Sequence, residues 1–439
     1  MLKTLVGAFK NKDIRKKILY TLMILVIVRV GSLLPIPGVD TEYFSSLLSG
    51  INTGDLSYLS AFTGGSFERM SLFALSITPY ITSSIIMQLL AIAIPKLEEM
   101  QKEGEDGRKK IASITRYVTI GLSLIESIAM AVGFGRSGLI KDSAQLSTLH
   151  YVVCIIVVIA ALTAGSAVLM WLGERITEKG VGNGISIVLL INIISGMPSD
   201  FATLYSTFVA PKTPAKGVLA AVIILAILIV MVVLVCFLQD GERRIPVQYS
   251  QKVSGRRTVG GQSTNIPLKV NTAGVMPIIF ASSLMQFPVI IAQLFGKSYE
   301  WTRYLSSSYW CRVEAPKYSI GLLVYIVLLI IFAYFYTSIT FNPIEVADNL
   351  KKAGGVIPGI TPGKSTSEYL NKILNYIVFI GAVGLLIIAL IPIMCTGFFN
   401  ASVSFGGTSI IIIVGVVLET LKQIESQMCN RYYKGFLSE

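Results

Sequence analysis

Runs of about twenty apolar residues, separated by short polar stretches, recur along the whole chain, and a helix needs about 20 residues to cross roughly 30 Å of hydrocarbon. Ten runs qualify, at residues 17–36, 72–95, 112–133, 151–172, 183–197, 217–238, 272–295, 318–340, 371–393 and 406–424. The pattern predicts an all-α polytopic membrane protein with ten transmembrane helices. Composition agrees: of 439 residues 53% are hydrophobic and 14% charged, against about 25% charged in soluble domains, which excludes a soluble enzyme. A basic N-terminal stretch leads straight into the first apolar run with no small-residue cleavage site, so that run is expected to remain as a span.

Ten spans put both ends on one side, and lysine and arginine decide which. Segments 1–17, 96–116, 173–182, 239–271, 341–372 and 422–439 carry 27 of the 37 basic residues, and the opposite loops carry 8. Basic residues near span ends stay cytoplasmic, so both termini are expected there. Two of the cytoplasmic loops, 239–271 and 341–370, are long and rich in glycine, proline and charge, which places the working surface on that side. The net charge of +12 has two readings at this point. One is the positive-inside bias together with anionic lipid; the other is docking of a polyanion such as ribosomal RNA, or of an acidic protein.

Several runs are irregular. The stretch from Ala61 to Leu90 opens with Gly64 and Gly65, carries Glu68 and Arg69 and is cut by Pro79. It reads as a short half-helix up to about Ser76, followed by a true span. Such re-entrant backbone persists at membrane depth only where protein or a cavity encloses it. The fifth run is short and flanked by glycine, and the seventh contains Pro277 and Pro288. Irregular runs in both halves suggest an inverted repeat of five spans each, 1–200 and 201–439, with a pathway between them. Proline-kinked helices in an ordinary bundle would give the same irregularity.

Few residues could do chemistry. His150 is the one histidine and the five cysteines have no metal-ligand spacing, so neither a cofactor nor a catalytic site is expected. Pro358 to Ser365 imitates a phosphate-binding loop, but Pro358 stands where glycine is needed and Pro362 removes an amide that phosphates would use. Without an energy source of its own, the chain must be driven by a partner or by the membrane potential. Charge within the spans reduces to Glu126, expected to hydrogen-bond to a neighbouring helix, with Glu419 and Arg29 near span ends where they can snorkel. Ile77 with Ile81, and Ile185 with Leu189, repeat at helical spacing, which by itself marks core or lipid contact.

Seven segments resemble one family, the bacterial SecY subunits that form the Sec protein-conducting channel. They are ITPYITSSIIMQLL from Ile77, KEGEDGRKK from Lys102, GERITEKGVGNGIS from Gly173, ERRIPVQYSQK from Glu242, GGQSTNIPLKVNTAGVMP from Gly260, FNPIEVADNLKKAGG from Phe341 and FGGTS from Phe405. They stand in family order over essentially the whole chain. The resemblance implies two five-helix halves forming a clamshell around an hourglass pore, in a bacterial plasma (inner) membrane. A plug helix at about 56–73, with Phe62, Gly64, Gly65, Glu68 and Arg69, would close the outer side. A constriction ring would comprise Ile77, Ile81, Ile185, Leu189, Ile279 and Ile412, since flexible aliphatic side chains seal against ions by dewetting and part around a peptide.

The resemblance also implies a lateral gate between spans 2 and 3 and spans 7 and 8, with Thr82, Gln88, Ser283 and Phe287 near the seam. A chain segment in the pore would leave through it when its summed transfer free energy favours lipid. The long loops would dock the ribosome, both RNA and protein, and the SecA motor ATPase through Arg243, Arg244, Lys252, Arg256, Arg257, Lys351, Lys352 and Lys364. Further implied partners are SecE-like and SecG-like small membrane subunits, unfolded preproteins with their signal sequences, and anionic lipid. One departure is visible: the family pattern PGIRPG reads PGITPG here, with Thr361 in place of arginine. Threonine lacks the planar fork of donors, so SecA engagement at that loop is expected to be weaker or carried by Lys351, Lys352 or Lys364. The rival reading is an inverted-repeat secondary transporter for a small substrate, which should show charged or polar groups converging at mid-membrane in both halves.

Overall fold

The structure is a computed structural model and describes residues 9–50, 63–135, 147–210, 214–249, 252–254, 257–259, 263–294, 300–306, 309–311, 316–399 and 407–435. Helices stand at all ten predicted runs. The first five spans comprise α1 (Lys12–Leu33), a short α2 (Thr41–Gly50), α3 (Thr78–Ala93), a short α4 (Pro95–Lys102), α5 (Glu105–Gly135), α6 (Thr148–Lys179) and α7 (Gly184–Leu204). The second five comprise α8 (Pro214–Asp240), α9 (Met276–Leu294), a short α10 (Glu300–Leu305), α11 (Ile320–Thr340), a short α12 (Pro343–Lys352), α13 (Lys364–Phe399) and α14 (Gly407–Gly435). Among the described residues six helical stretches are long and apolar enough alone to cross a membrane, and α3 with α4 forms a further pair bent by 106°. The bend sits at Ile94, whose backbone is extended because Pro95 follows it.

The helices sort their faces for a lipid setting. On α8, Val218, Leu219, Val222, Ile223 and Leu225 are all exposed, as befits a helix apolar on every side that meets hydrocarbon rather than water. On α5 the buried stripe is small and hydroxylic, Thr115, Thr119, Ser123 and Ser127, and it lies against α6, where the Thr163 hydroxyl donates to Ser127 Oγ at 3.1 Å. Small residues of this kind let membrane helices approach closely. Glu126 lies one position off that stripe, half-buried, and has no hydrogen bond among the described residues; the expected bond to a neighbouring helix is made by Ser127 instead.

Three expectations are corrected. The fifth span is not short: α7 runs through Pro198 and continues as one π-helical turn, Tyr205–Val209. Residues 51–62, which hold the first part of the plug helix expected at about 56–73, lie outside the described residues; past Thr63, which is helical, residues 64–77 run as turns, so no half-helix continues to Ser76. Gly64, Gly65, Met70 and Ser76 all have positive φ, a conformation no right-handed helix can pass through. Pro79 does not cut a helix either, because it lies in the first turn of α3, where its missing N–H breaks no bond.

The two long loops carry strand. β1 (Glu242–Tyr249) pairs antiparallel with β4 (Ser263–Lys269), while β2 (Lys252–Ser254) and β3 (Arg257–Val259) pair with each other. From the other loop, β5 (Gly355–Val356) joins the free edge of β1. Ile245, Val247 and Leu268 then pack with Leu350, Ile357, Leu370 and Ile373 in one buried cluster, so the two loops form a single body beyond the membrane helices.

Candidate functional site

The six expected ring residues come together. Ile77 caps α3 and Ile81 follows one turn later, Ile185 and Leu189 stand on the first turns of α7, Ile279 on α9 and Ile412 on α14. All six belong to one hydrophobic cluster, with Ile77 and Ile412 only 1% exposed and Ile81 and Ile185 at its edge. Four helices thus bring aliphatic side chains into one packed cluster.

On one side of the collar lies a cavity of about 470 Å³. Ile81, Ile185, Leu189, Ile279 and Ile412 line it, together with Gln88, Gln239 and Asn271. The charged lining residues Lys269, Glu419 and Lys422 are all exposed, whereas the polar Gln88, Gln239 and Asn271 are half-buried or buried. Lys422 Nζ reaches Asp240 Oδ1 at 2.7 Å and so ties α14 to the end of α8.

The turns of 64–77 hold to the helices around the collar. The Asn192 amide on α7 donates to Ser76 Oγ at 3.0 Å, and Ser195 Oγ donates to the Gly64 carbonyl at 3.4 Å. Phe73 reaches into the collar cluster, while Phe67 and Met70 are buried in a second one. There Phe67 meets Phe44 and Phe134 edge-on, at centroid distances of 5.9 and 6.4 Å, a favoured ring geometry. Close backbone contact does the rest. A side chain at Gly165 would overlap the Leu72 carbonyl, and one at Gly31 would overlap the Phe73 ring.

Other predicted residues fare variously. Phe62 and Arg256 lie outside the described residues. Glu68 and Arg69 are exposed. Gln88 lines the cavity, whereas Thr82 donates to the Thr78 carbonyl of its own helix at 3.0 Å. Ser283 is half-buried on α9, which also carries Phe287, whose side chain is outside what is described. In the loop body Lys252 and Arg257 sit on the β2–β3 pair. Lys351, Lys352 and Lys364 are exposed. Arg244 is held by Glu242 at 2.7 Å, while the exposed Arg243 has no ion pair among the described residues. Thr361 turns its hydroxyl toward Ser365 Oγ at 2.9 Å, closing the local turn instead of presenting a donor outward. Sequence reading missed Asn192 and Ser195; an amide in an apolar run was the available signal.

Comparison with known proteins places the chain in a family and a fold. The SecY family profile matches residues 71–421. The chain is 44% identical to the protein translocase subunit SecY of Streptomyces galbus over 100% of both chains. It is 40% identical to the same subunit of Staphylococcus aureus (strain NCTC 8325 / PS 47) over 99% of both. Among solved structures, one described as a protein-conducting channel aligns with a TM-score of 0.59 at 18% identity, covering 94% of this chain and 92% of that one. Another, of a SecY protein whose plug domain stabilises the closed state of the translocation channel, gives a TM-score of 0.61 with the same identity and coverage.

Proposed function

The chain belongs to the SecY family, and from that premise we propose that it is a protein-conducting channel whose gate is the aliphatic collar and whose plug lies at about 56–73. The observation that carries this is the convergence of Ile77, Ile81, Ile185, Leu189, Ile279 and Ile412 in one cluster between the cavity and the segment tied to α7. Such a collar binds no particular side chain, which suits a path for unfolded chains of any sequence. The carrier reading finds no support, since the relatives are translocase subunits and the charged lining residues are exposed.

The finer reading has two five-helix halves, 1–200 and 201–439, both termini cytoplasmic and the plasma membrane as the site of action. The seam beside Gln88, Thr82, Ser283 and Phe287 releases apolar segments sideways into lipid, and small SecE-like and SecG-like subunits complete the complex. The loop body docks a ribosome or the SecA motor, which supplies the driving force. A photoreactive residue at Ile81, in vesicles holding a stalled precursor, is expected to crosslink to the precursor, while one at the exposed Ile92 of the same helix does not. No adduct at Ile81 with the precursor engaged would end the pore reading.

Docking separates two adjacent arginines. Arg243 is free to meet a phosphate, whereas Arg244 would first have to leave Glu242. Arg243→Gln is therefore expected to reduce the salt slope of ribosome binding by about 1 and to weaken affinity, with a smaller effect from Arg244→Gln. Equal effects in a binding titration across salt concentrations would remove the distinction.

A further inference from the structure

The cavity beside the collar is walled in part by neutral amides. Four carboxamide side chains line it: Gln88 on α3, Asn183 just before α7, Gln239 at the end of α8 and Asn271 ahead of α9. The first five spans and the second five both contribute. Two of the four are committed to their own turns, since Asn183 Oδ1 accepts from Ile185 N at 3.2 Å and Asn271 Nδ2 donates to the Gly274 carbonyl at 2.9 Å. The two glutamines are not. Among the described residues Gln88 Oε1 and Gln239 Nε2 are buried without a hydrogen-bond partner, which leaves one acceptor and one donor in the wall of the same cavity.

Both glutamines stand close to the collar. Ile81, Ser84 and Gln88 recur along the cavity face of α3 at helical spacing, which puts Gln88 about 10 Å from Ile81 at 1.5 Å per residue. Gln239 Nε2 lies against α14 at Gly415, where a Cβ would meet it at 3.4 Å, and Gly415 is one turn past Ile412. An unfolded chain entering the collar must shed water from its backbone N–H and C=O groups, and each one left unpaired in apolar surroundings is costly. The aliphatic collar offers such groups nothing. A carboxamide carries the same kinds of donor and acceptor as the peptide group, so it bonds to backbone whatever the side chain, and being neutral it neither repels nor traps a charged residue. Resting on the channel reading above, we infer that Gln88 and Gln239 bind the backbone of the polypeptide in transit, Gln88 accepting from an N–H and Gln239 donating to a C=O, and so replace part of its hydration just before the collar.

The test uses the assembled complex in vesicles holding a stalled precursor, with a photoreactive residue at Ile81 to report that the chain occupies the collar. The precursor is made in two forms, with ordinary amides or with backbone esters along the stretch that lies in the cavity. An ester lacks the N–H and accepts more weakly, while every side chain is kept. The rate at which the chain slides back out is measured after the drive is withdrawn. From the wild type the ester form is expected to escape about tenfold faster than the amide form, as for the loss of two neutral hydrogen bonds. Q88L/Q239L should release both forms at the same fast rate, and Q88N/Q239N should keep part of the difference. Equal escape of the two forms from the wild type, with the Ile81 adduct present, overturns the backbone site and leaves the channel standing. A Q88L/Q239L protein that still holds the amide form tenfold longer overturns it too, by assigning the bonds to other groups. No Ile81 adduct in the wild type overturns the channel reading and this inference with it. If Q88L/Q239L does not assemble, Q239L alone is read in the same assay by the same criteria.

Discussion

Ile412→Asp is expected to make the resting protein leak ions. Ile412 is 1% exposed and packs in the collar cluster with Ile77, Leu189 and Ile279. Truncating a buried isoleucine costs about 2–5 kcal/mol in lost packing, and a carboxylate cannot remain there unsolvated, so water follows it in. A wetted collar conducts where a dry one does not. Ion efflux from proteoliposomes without a translocating chain should rise by about tenfold or more, and further when Asn192→Leu also removes the bond that holds Ser76. Ile412→Val should stay sealed, with a stability loss of about 0.5–1.5 kcal/mol. Unchanged efflux from a correctly inserted Ile412→Asp, Asn192→Leu protein would take Ile412 out of the barrier.

Gly165→Val is the second large effect, and it acts through backbone. Any side chain at Gly165 on α6 drives into the Leu72 carbonyl. That peptide cannot retreat, because Leu72 N is bonded to Leu34 O on one side and Phe73 is wedged beside Gly31 on the other. Overpacking of this kind costs about 1–3 kcal/mol where neighbours yield, and here both neighbours are fixed, so the expected loss lies at or above the top of that range. Thermal unfolding of the assembled complex should show it, together with faster proteolysis within 63–77. Gly121→Ala, at a position with nothing within 4 Å, should remain within about 0.5 kcal/mol of wild type. A Gly165→Val protein as stable as wild type would mean that the segment packs elsewhere.

What could be read in the sequence, and what could not, follows from the range of each interaction. Span positions were legible because hydrocarbon imposes one length on every crossing helix. The convergence of Ile77, Ile185, Ile279 and Ile412 was not, since helical spacing on four separate helices cannot say which faces meet; only resemblance to a family supplied that. The β1–β4 pair was hidden because Pro246 and Pro267 stand within the strands, and proline ordinarily argues against strand. The turns of 64–77 could not be foreseen, and the half-helix was carried too far, because Met70 and Ser76 adopt a backbone that their residue type does not announce. Tertiary bonds, such as that from Asn192 to Ser76, hold it there.

The paired strands of the loop body are rooted in two membrane helices at once. β1 leaves α8 and β4 leads into α9, seven rungs join them from Glu242–Lys269 to Gln248–Ser263, and Val270 N closes the base on the Gly241 carbonyl at 2.8 Å. At about 3.3 Å per residue this ribbon is a stiff arm some 20 Å long, while Ile279 lies only a few residues into α9. Under the channel reading, a push on the loop body would reach the root of this ribbon between α8 and α9, a few residues from Ile279, so the cytoplasmic face and the collar would be joined by one stiff element.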